Sequence, residues 1–85
     1  MSSSVFTDAY RILLASLIAT RREARVSQTE LATRLGKTQS FVSQIERGVR
    51  RLDVIEFYAV AKALDRDPAT LFASIADKFP PNVRI

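Results

Sequence analysis

The sequence predicts an all-α domain that contains five short helices. Three observations point to this class. Apolar residues recur at the three- and four-residue spacing of one helix face. Residues with short oxygen-bearing side chains stand before each apolar stretch, where they can cap a helix N-terminus. No part of the chain shows a convincing strand pattern.

The first helix is predicted over residues 8–25. Thr7 is suited to the N-cap, and the carboxylate of Asp8 is favourable near the positive end of the helix dipole. The segment "TRREAR" should end the helix, since cations are favoured at its C-terminus. The inner face is expected to be Tyr10, Leu13, Leu14, Leu17 and Ile18.

The second helix is predicted to open with "SQTE". Ser27 and Glu30 have the spacing of a capping box, in which the hydroxyl accepts from an N3 amide and the carboxylate returns to the cap. Gly36 should end the helix, because glycine adopts the left-handed conformation without strain.

The third helix lies within "TQSFVSQIERG", residues 38–48. Thr38 can cap it, and Gly48 should stop it. Val42 and Ile45 are expected to point inward.

The fourth helix should begin at "DVIE", where Asp53 and Glu56 again have capping-box spacing. Its expected buried residues are Ile55, Tyr58, Val60, Ala61 and Leu64. In the fifth helix Asp67 is the predicted cap and Pro68 the first helical residue. The whole chain, 1–85, is expected to be one domain with a core over 8–75 and an extended tail over 79–85.

Positive charge is concentrated in the first three-fifths of the chain. Residues 1–51 hold nine basic and four acidic residues, a net charge of +5, whereas residues 52–85 hold four basic and five acidic ones, a net charge of −1. This asymmetry favours a polyanionic partner, with nucleic acid the first choice and an anionic membrane surface the second.

Composition argues against catalysis and metal binding. The 85 residues include neither cysteine nor histidine, so the usual general base and the usual zinc ligands are missing. We therefore expect a non-enzymatic protein with no cofactor and no metal. No apolar run is long enough to span a bilayer and no signal peptide is evident, which predicts a cytoplasmic protein that does not use a membrane.

The second and third helices have the lengths and the glycine turn of a helix-turn-helix unit. If Val42 and Ile45 are buried, then Gln39, Ser43 and Arg47 share the outer face by the i, i+4 rule. Glutamine can pair with the major-groove edge of adenine, and serine can donate to or accept from several bases.

The segment "SQTELATRLGKTQSFVSQIERGVRRLDVIEFYAVAKALDRDPATLF" resembles the phage repressor and Cro-like, XRE-type helix-turn-helix family. The match runs from about residue 21 to residue 72. It implies a lambda-repressor-like fold and binding to double-stranded DNA. It also implies that Glu46 braces the turn. One departure is Phe41, a bulky residue where the pattern is permissive, which could half-bury against the core or cover a phosphate.

The resemblance suggests two sets of DNA contacts. The residues expected to contact bases are Gln39, Ser40, Ser43 and Gln44. Those expected to contact the DNA backbone are Arg21, Gln28, Lys37, Thr38, Arg47, Arg50 and Arg51.

The expected function is sequence-specific transcriptional regulation, as a repressor, by a homodimer on an inverted-repeat operator. The predicted dimer contact consists of Leu71, Phe72, Ile75 and Phe79. Two alternatives involve other partners: an antitoxin that binds a toxin, and a controller protein of a restriction–modification system.

Overall fold

A computed structural model describes residues 7–85, so the first six residues of the predicted domain lie outside the described part. Within that part there are five α-helices and no strand. They are α1 Asp8–Glu23, α2 Gln28–Leu35, α3 Gln39–Glu46, α4 Val54–Ala63 and α5 Pro68–Ala76. The predicted all-α class with five helices is confirmed.

Each helix begins at the predicted cap, whose side-chain oxygen accepts from the backbone N–H three residues on. The caps are Thr7, Ser27, Thr38, Asp53 and Asp67. Only Asp53 completes the reciprocal capping box, with Glu56. The predicted box at Ser27 is half formed, because the Glu30 carboxylate pairs instead with Arg34, one turn further along the helix, at 2.7 Å.

The first four helices end with one residue in the left-handed conformation. Glycine fills this position after α2 and α3, with φ of 69° at Gly36 and 79° at Gly48. Arg25 and Asp65 fill it after α1 and α4, with φ of 59° and 58°. The prediction that the first helix continues to residue 25 is therefore wrong: the chain turns away at Arg25.

The core is formed where α1, α4 and α5 pack around the α2–α3 pair. Its larger cluster includes Leu17, Leu31, Val42, Leu64 and Ile75, of which Leu64 and Ile75 are almost fully buried. Its smaller cluster contains Tyr10, Leu14 and Ile45. Both clusters hold one side of α3 and leave the other side facing outward.

The predicted inner face of α4 needs correction. Val60, Ala61 and Leu64 are buried as expected, but Ile55 is 73% exposed and Tyr58 is 55% exposed. Phe57 is buried instead, because it shares one helix face with Val60, Ala61 and Leu64 at i, i+3, i+4 and i+7.

Candidate nucleic-acid interface

The outer face of α3 carries amides and hydroxyls. Val42 and Ile45 are buried on the inner side, so Gln39 and Ser40 are exposed, and Ser43 and Gln44 are partly exposed. Two of these side chains pair weakly along the helix, since Gln44 Nε2 donates to Ser40 Oγ at 3.4 Å. The structure thus brings together all four residues that the sequence predicted to contact bases.

A buried ion pair supports this face from behind. Glu46 Oε2 accepts from Arg21 Nε at 2.7 Å, and Glu46 Oε1 accepts from Arg21 Nη2 at 3.0 Å. Arg21 Nη1 donates to the carbonyl of Val26 at 2.9 Å. The side chains of the pair are each only 10% exposed. Glu46 therefore ties the C-terminal ends of α1 and α3 together, consistent with the bracing role expected for it.

The same carboxylate reaches the outer face through two glutamines. Gln28 Nε2 donates to Glu46 Oε1 at 2.9 Å, while Gln28 Oε1 accepts from Gln39 Nε2 at 2.6 Å. Each link fixes the amide orientation of the next, so Gln39 is presented in one defined orientation. We call Arg21, Glu46, Gln28 and Gln39 the bracing network.

The position of Arg21 differs from the expectation that it contacts the DNA backbone. Its residue exposure is 8%, and its guanidinium is bonded to Glu46 and Val26. A buried, paired guanidinium of this kind is a structural element of the domain. Its partner lies 25 residues away in the sequence, so charge counting alone could not reveal the pair.

Basic side chains flank α3 at both ends. Lys37 is exposed just before it, and Arg47 is exposed at its end, where Nε donates to Ser43 Oγ at 3.0 Å. Arg51 lies over the Tyr10 ring, with its guanidinium carbon 4.2 Å from the ring centroid. Thr38 is also exposed, and its hydroxyl caps α3. We call Lys37, Arg47, Arg50 and Arg51 the basic rim.

Arg50 is held by Glu56. Its Nη2 lies 2.7 Å from Glu56 Oε2, and its Nη1 donates to Glu56 Oε1 at 3.0 Å. This hydrogen-bonded pairing raises the pKa of Arg50 above its ordinary value. It also lowers the pKa of Glu56, and the backbone N–H of Asp53 lowers it further. The pairing therefore favours the charged form of both groups.

Phe41 is half-buried and contacts two members of the basic rim. Its ring packs against both core clusters. Lys37 Nζ lies 5.3 Å from the ring centroid, and the guanidinium carbon of Arg50 lies 4.9 Å from it. The ring therefore touches the core and two cations at once.

The predicted dimer residues are not all available at the surface. Ile75 is 1% exposed and belongs to the core, because α5 packs against both α1 and α4. Leu71 and Phe79 are half-buried against the same core. Phe72 is 45% exposed and meets the rings of Phe57 and Phe79 edge-on. Ile75 is thus wrongly assigned to the contact.

An exposed apolar surface that the sequence reasoning missed lies beside Phe72. Val54 is 76% exposed, and it lines a groove together with Tyr58, Leu13 and Phe72. Helical spacing alone could not have indicated this surface, because Val54 lies three residues before Phe57 and so falls near the face that the period predicts to be buried. We call Val54, Tyr58 and Phe72 the apolar patch.

Over residues 7–85, no group of three or more His, Cys, Asp or Glu side chains could hold a metal ion. None of the helices in this part of the chain is long and apolar enough to cross a membrane.

The α2–turn–α3 geometry, with a polar outer face and a basic rim, defines a helix-turn-helix protein. Accordingly, the helix-turn-helix family model HTH_3 matches residues 17–71. The chain belongs to the XRE-type helix-turn-helix family, which comprises DNA-binding transcriptional regulators and not enzymes.

Solved structures agree with this assignment. An XRE-family like protein from Pseudomonas syringae pv. tomato str. DC3000 superposes with a TM-score of 0.79 and 43% identity, covering 85% of this chain and 88% of that one. The clp gene regulator ClgR from C. glutamicum superposes with a TM-score of 0.73 and 23% identity, and the match covers 87% of this chain and 96% of the ClgR chain. At that identity the second comparison shows the fold alone.

Two relatives come from Sinorhizobium fredii (strain NBRC 101917 / NGR234), both named as uncharacterized HTH-type transcriptional regulators. The regulator y4dJ is 35% identical over 57 residues, which is 67% of this chain and 74% of y4dJ. The regulator y4dL is 47% identical over 49 residues, which is 58% of this chain. The matched region spans 25% of the length of y4dL.

Proposed function

We propose that this protein is a sequence-specific regulator that binds an inverted-repeat operator as a homodimer and represses transcription. The observation that carries the proposal is the outer face of α3, where Gln39 is held in one orientation by Gln28 at 2.6 Å. A preoriented amide can discriminate between bases, because a wrong base leaves its donor and acceptor unpaired.

The proposal divides the contacts by chemistry. Gln39, Ser40, Ser43 and Gln44 would contact base edges in the major groove. The basic rim would contact phosphates, which fix position and orientation but carry no sequence information. Gln28 is the first residue of α2, and the free backbone N–H groups at this end of the helix can donate to a phosphate.

The dimer would place two α3 helices in successive major grooves, about 34 Å apart. We propose that the apolar patch, which includes Phe72 from the predicted contact, forms the two-fold interface. Exposed apolar groups gathered in one place favour a protein contact. A homodimer bound to the operator would block RNA polymerase, and transcription would be repressed. The domain would comprise a core over 8–75 and a tail over 79–85, acting in the cytoplasm.

Selection of bound duplexes from a random DNA pool, at one stated salt concentration, tests sequence recognition and symmetry together. The expected result is a pair of inverted half-sites whose centres are about one helical turn apart. Recovery of unrelated sequences with no common half-site would overturn the base-contacting role.

Sedimentation tests the dimer separately. The wild-type chain should sediment as a dimer on the selected duplex, and Val54→Asp should reduce it to a monomer. Lys62→Asp, a change of an exposed residue on the same helix, is the matched control and should leave the dimer intact. A wild-type monomer bound to the duplex at micromolar concentration would refute the dimer.

A second candidate function uses the same patch for a different protein. The apolar patch could bind a toxin, which would make the chain an antitoxin that also represses its own operon. Co-purification with the product of a neighbouring toxin gene would favour this role. Adjacent methyltransferase and endonuclease genes would instead favour a restriction–modification controller.

A further inference from the structure

The Phe41 ring lies between the core and two cations. It packs against both core clusters. It also lies within 5.3 Å of the Lys37 ammonium and 4.9 Å of the Arg50 guanidinium carbon, measured from the ring centroid. Packing on the core does not by itself require these two cations to lie on the ring.

We propose that Phe41 is a positioning residue that holds Lys37 and Arg50 as a pair for two phosphates of the DNA backbone. This inference rests on the proposed DNA-binding function and names the part that Phe41 has in it. The negative ring face attracts both cations. A contact with a ring face uses no N–H donor, so the Lys37 ammonium stays available to phosphate oxygens. The Arg50 N–H groups that do not donate to Glu56 or to the carbonyl of Arg51 stay available as well.

The two cations lie beyond opposite ends of α3 in the sequence. Lys37 precedes the helix and follows the left-handed Gly36, whereas Arg50 lies in the loop that follows Gly48. The Phe41 ring contacts both of them, at 5.3 and 4.9 Å, and so links the two long side chains directly.

The opposite side of Arg50 is fixed by α4. Glu56 binds its guanidinium at 2.7 Å, and the same carboxylate accepts from the N–H of Asp53 at 2.9 Å. The guanidinium therefore lies between the ring of Phe41 and the N-terminus of α4. This arrangement lowers the conformational entropy that the side chain would lose on binding a phosphate.

The expected size follows from the two ring contacts. Ordering one long side chain on binding corresponds to about twofold to tenfold in an equilibrium constant. Loss of the ring, which would leave two such side chains to be ordered by the DNA, should therefore weaken DNA binding by about tenfold. The loss should be equal for operator and random duplexes, because phosphate contacts are independent of sequence.

The test is a mutant cycle measured by fluorescence anisotropy with a labelled selected duplex and a random duplex of equal length. Phe41→Leu keeps apolar volume but removes the ring face, and Phe41→Tyr keeps the ring. We expect Phe41→Leu to weaken binding to both duplexes by about tenfold and Phe41→Tyr to stay within about twofold of wild type. In a background with Lys37→Ala and Arg50→Ala, Phe41→Leu should change affinity by less than about twofold.

An equal loss in the background that lacks both cations would overturn the proposal, since Phe41 would then act through packing alone. An unchanged affinity of Phe41→Leu in the wild-type background would do the same. If the wild-type chain binds neither duplex, the proposed function itself has failed. Melting curves establish that each variant is folded.

A second measurement keeps the proposal testable if Phe41→Leu does not fold. In wild-type protein, protons beside the Lys37 ammonium and the Arg50 guanidinium should show upfield ring-current shifts by NMR. Phe41→Tyr should preserve those shifts. Random-coil shifts for both side chains in the wild-type chain would overturn the proposal without any variant.

Discussion

Replacement of Glu46 by alanine should be among the most damaging single changes to this domain. The carboxylate accepts three hydrogen bonds, two from Arg21 and one from Gln28, at 2.7, 3.0 and 2.9 Å. Both side chains of the ion pair are 10% exposed. Its removal leaves a buried guanidinium with no counter-charge, which costs about 3–5 kcal/mol.

That loss is large compared with the stability of the whole domain. At about 0.05–0.15 kcal/mol per residue, a chain of this length has a free energy of unfolding of about 4–13 kcal/mol. The melting temperature should fall by about 12–40 °C, since each kcal/mol corresponds to about 4–8 °C in a domain of this size. Circular dichroism, in thermal and urea unfolding, measures both quantities.

The matched control is Glu30→Ala. Its pair with Arg34 has the same 2.7 Å separation, but the two side chains are 51% and 36% exposed. Because exposed helical pairs are screened by solvent, this variant should lose only about 0.3–0.5 kcal/mol. A loss below about 1 kcal/mol for Glu46→Ala would refute the argument that burial of the pair makes the carboxylate indispensable.

Three further predictions follow from local features. Arg25→Gly should raise the free energy of unfolding, measured in urea, by about 0.5–1 kcal/mol, because glycine adopts the left-handed conformation without steric strain. A destabilised variant would show that this conformation carries no strain at Arg25. Hydrogen bonds to Thr70 lower the pKa of Asp67, so its stabilising contribution is present above its ordinary value of 3.8 and is lost as the pH falls through the lowered value. Asp67→Asn keeps a capping oxygen but does not titrate. Its free energy of unfolding should therefore be lower than that of the wild type at neutral pH and should approach the wild-type value in acid. A difference between the two proteins that does not change with pH would contradict this linkage. Gln44→Ala should reduce the preference for the correct base at one operator position by about 1–3 kcal/mol. Arg47→Ala should instead weaken binding to all DNA sequences alike and should lower the slope of log K against log salt concentration by about 1. An equal loss of affinity for operator and random DNA with Gln44→Ala would refute the base-contacting role of Gln44.

The helix N-termini could be predicted from the sequence because their determinants are local. A cap such as Thr38 or Asp53 bonds to a backbone N–H only three residues away. No tertiary contact is needed to decide that geometry. The glycine stops at Gly36 and Gly48 are equally local, since a positive φ costs glycine nothing.

Features that depend on distant partners could not be predicted in the same way. The sequence predicted that Arg21 contacts the DNA backbone, yet Arg21 is buried against Glu46 of α3. The inner face of α4 was misassigned because Ile55 and Phe57 both suit a core, and helix packing decides which one enters it. Local spacing identified the polar face of α3, but not the network that orients it.

In the proposed function, the bracing network links the stability of the domain to the orientation of a base-contacting residue. The same Glu46 carboxylate that neutralises buried Arg21 also orients Gln28, which in turn orients Gln39. Replacing the ion pair with Arg21→Met and Glu46→Leu removes the buried charges, so the domain can remain folded. It also leaves Gln28 without its acceptor, and Gln39 then loses its defined orientation. We therefore expect the double variant to stay folded but to discriminate less well between operator and random DNA. That result would separate the stabilising role of Glu46 from its role in orienting Gln28 and Gln39.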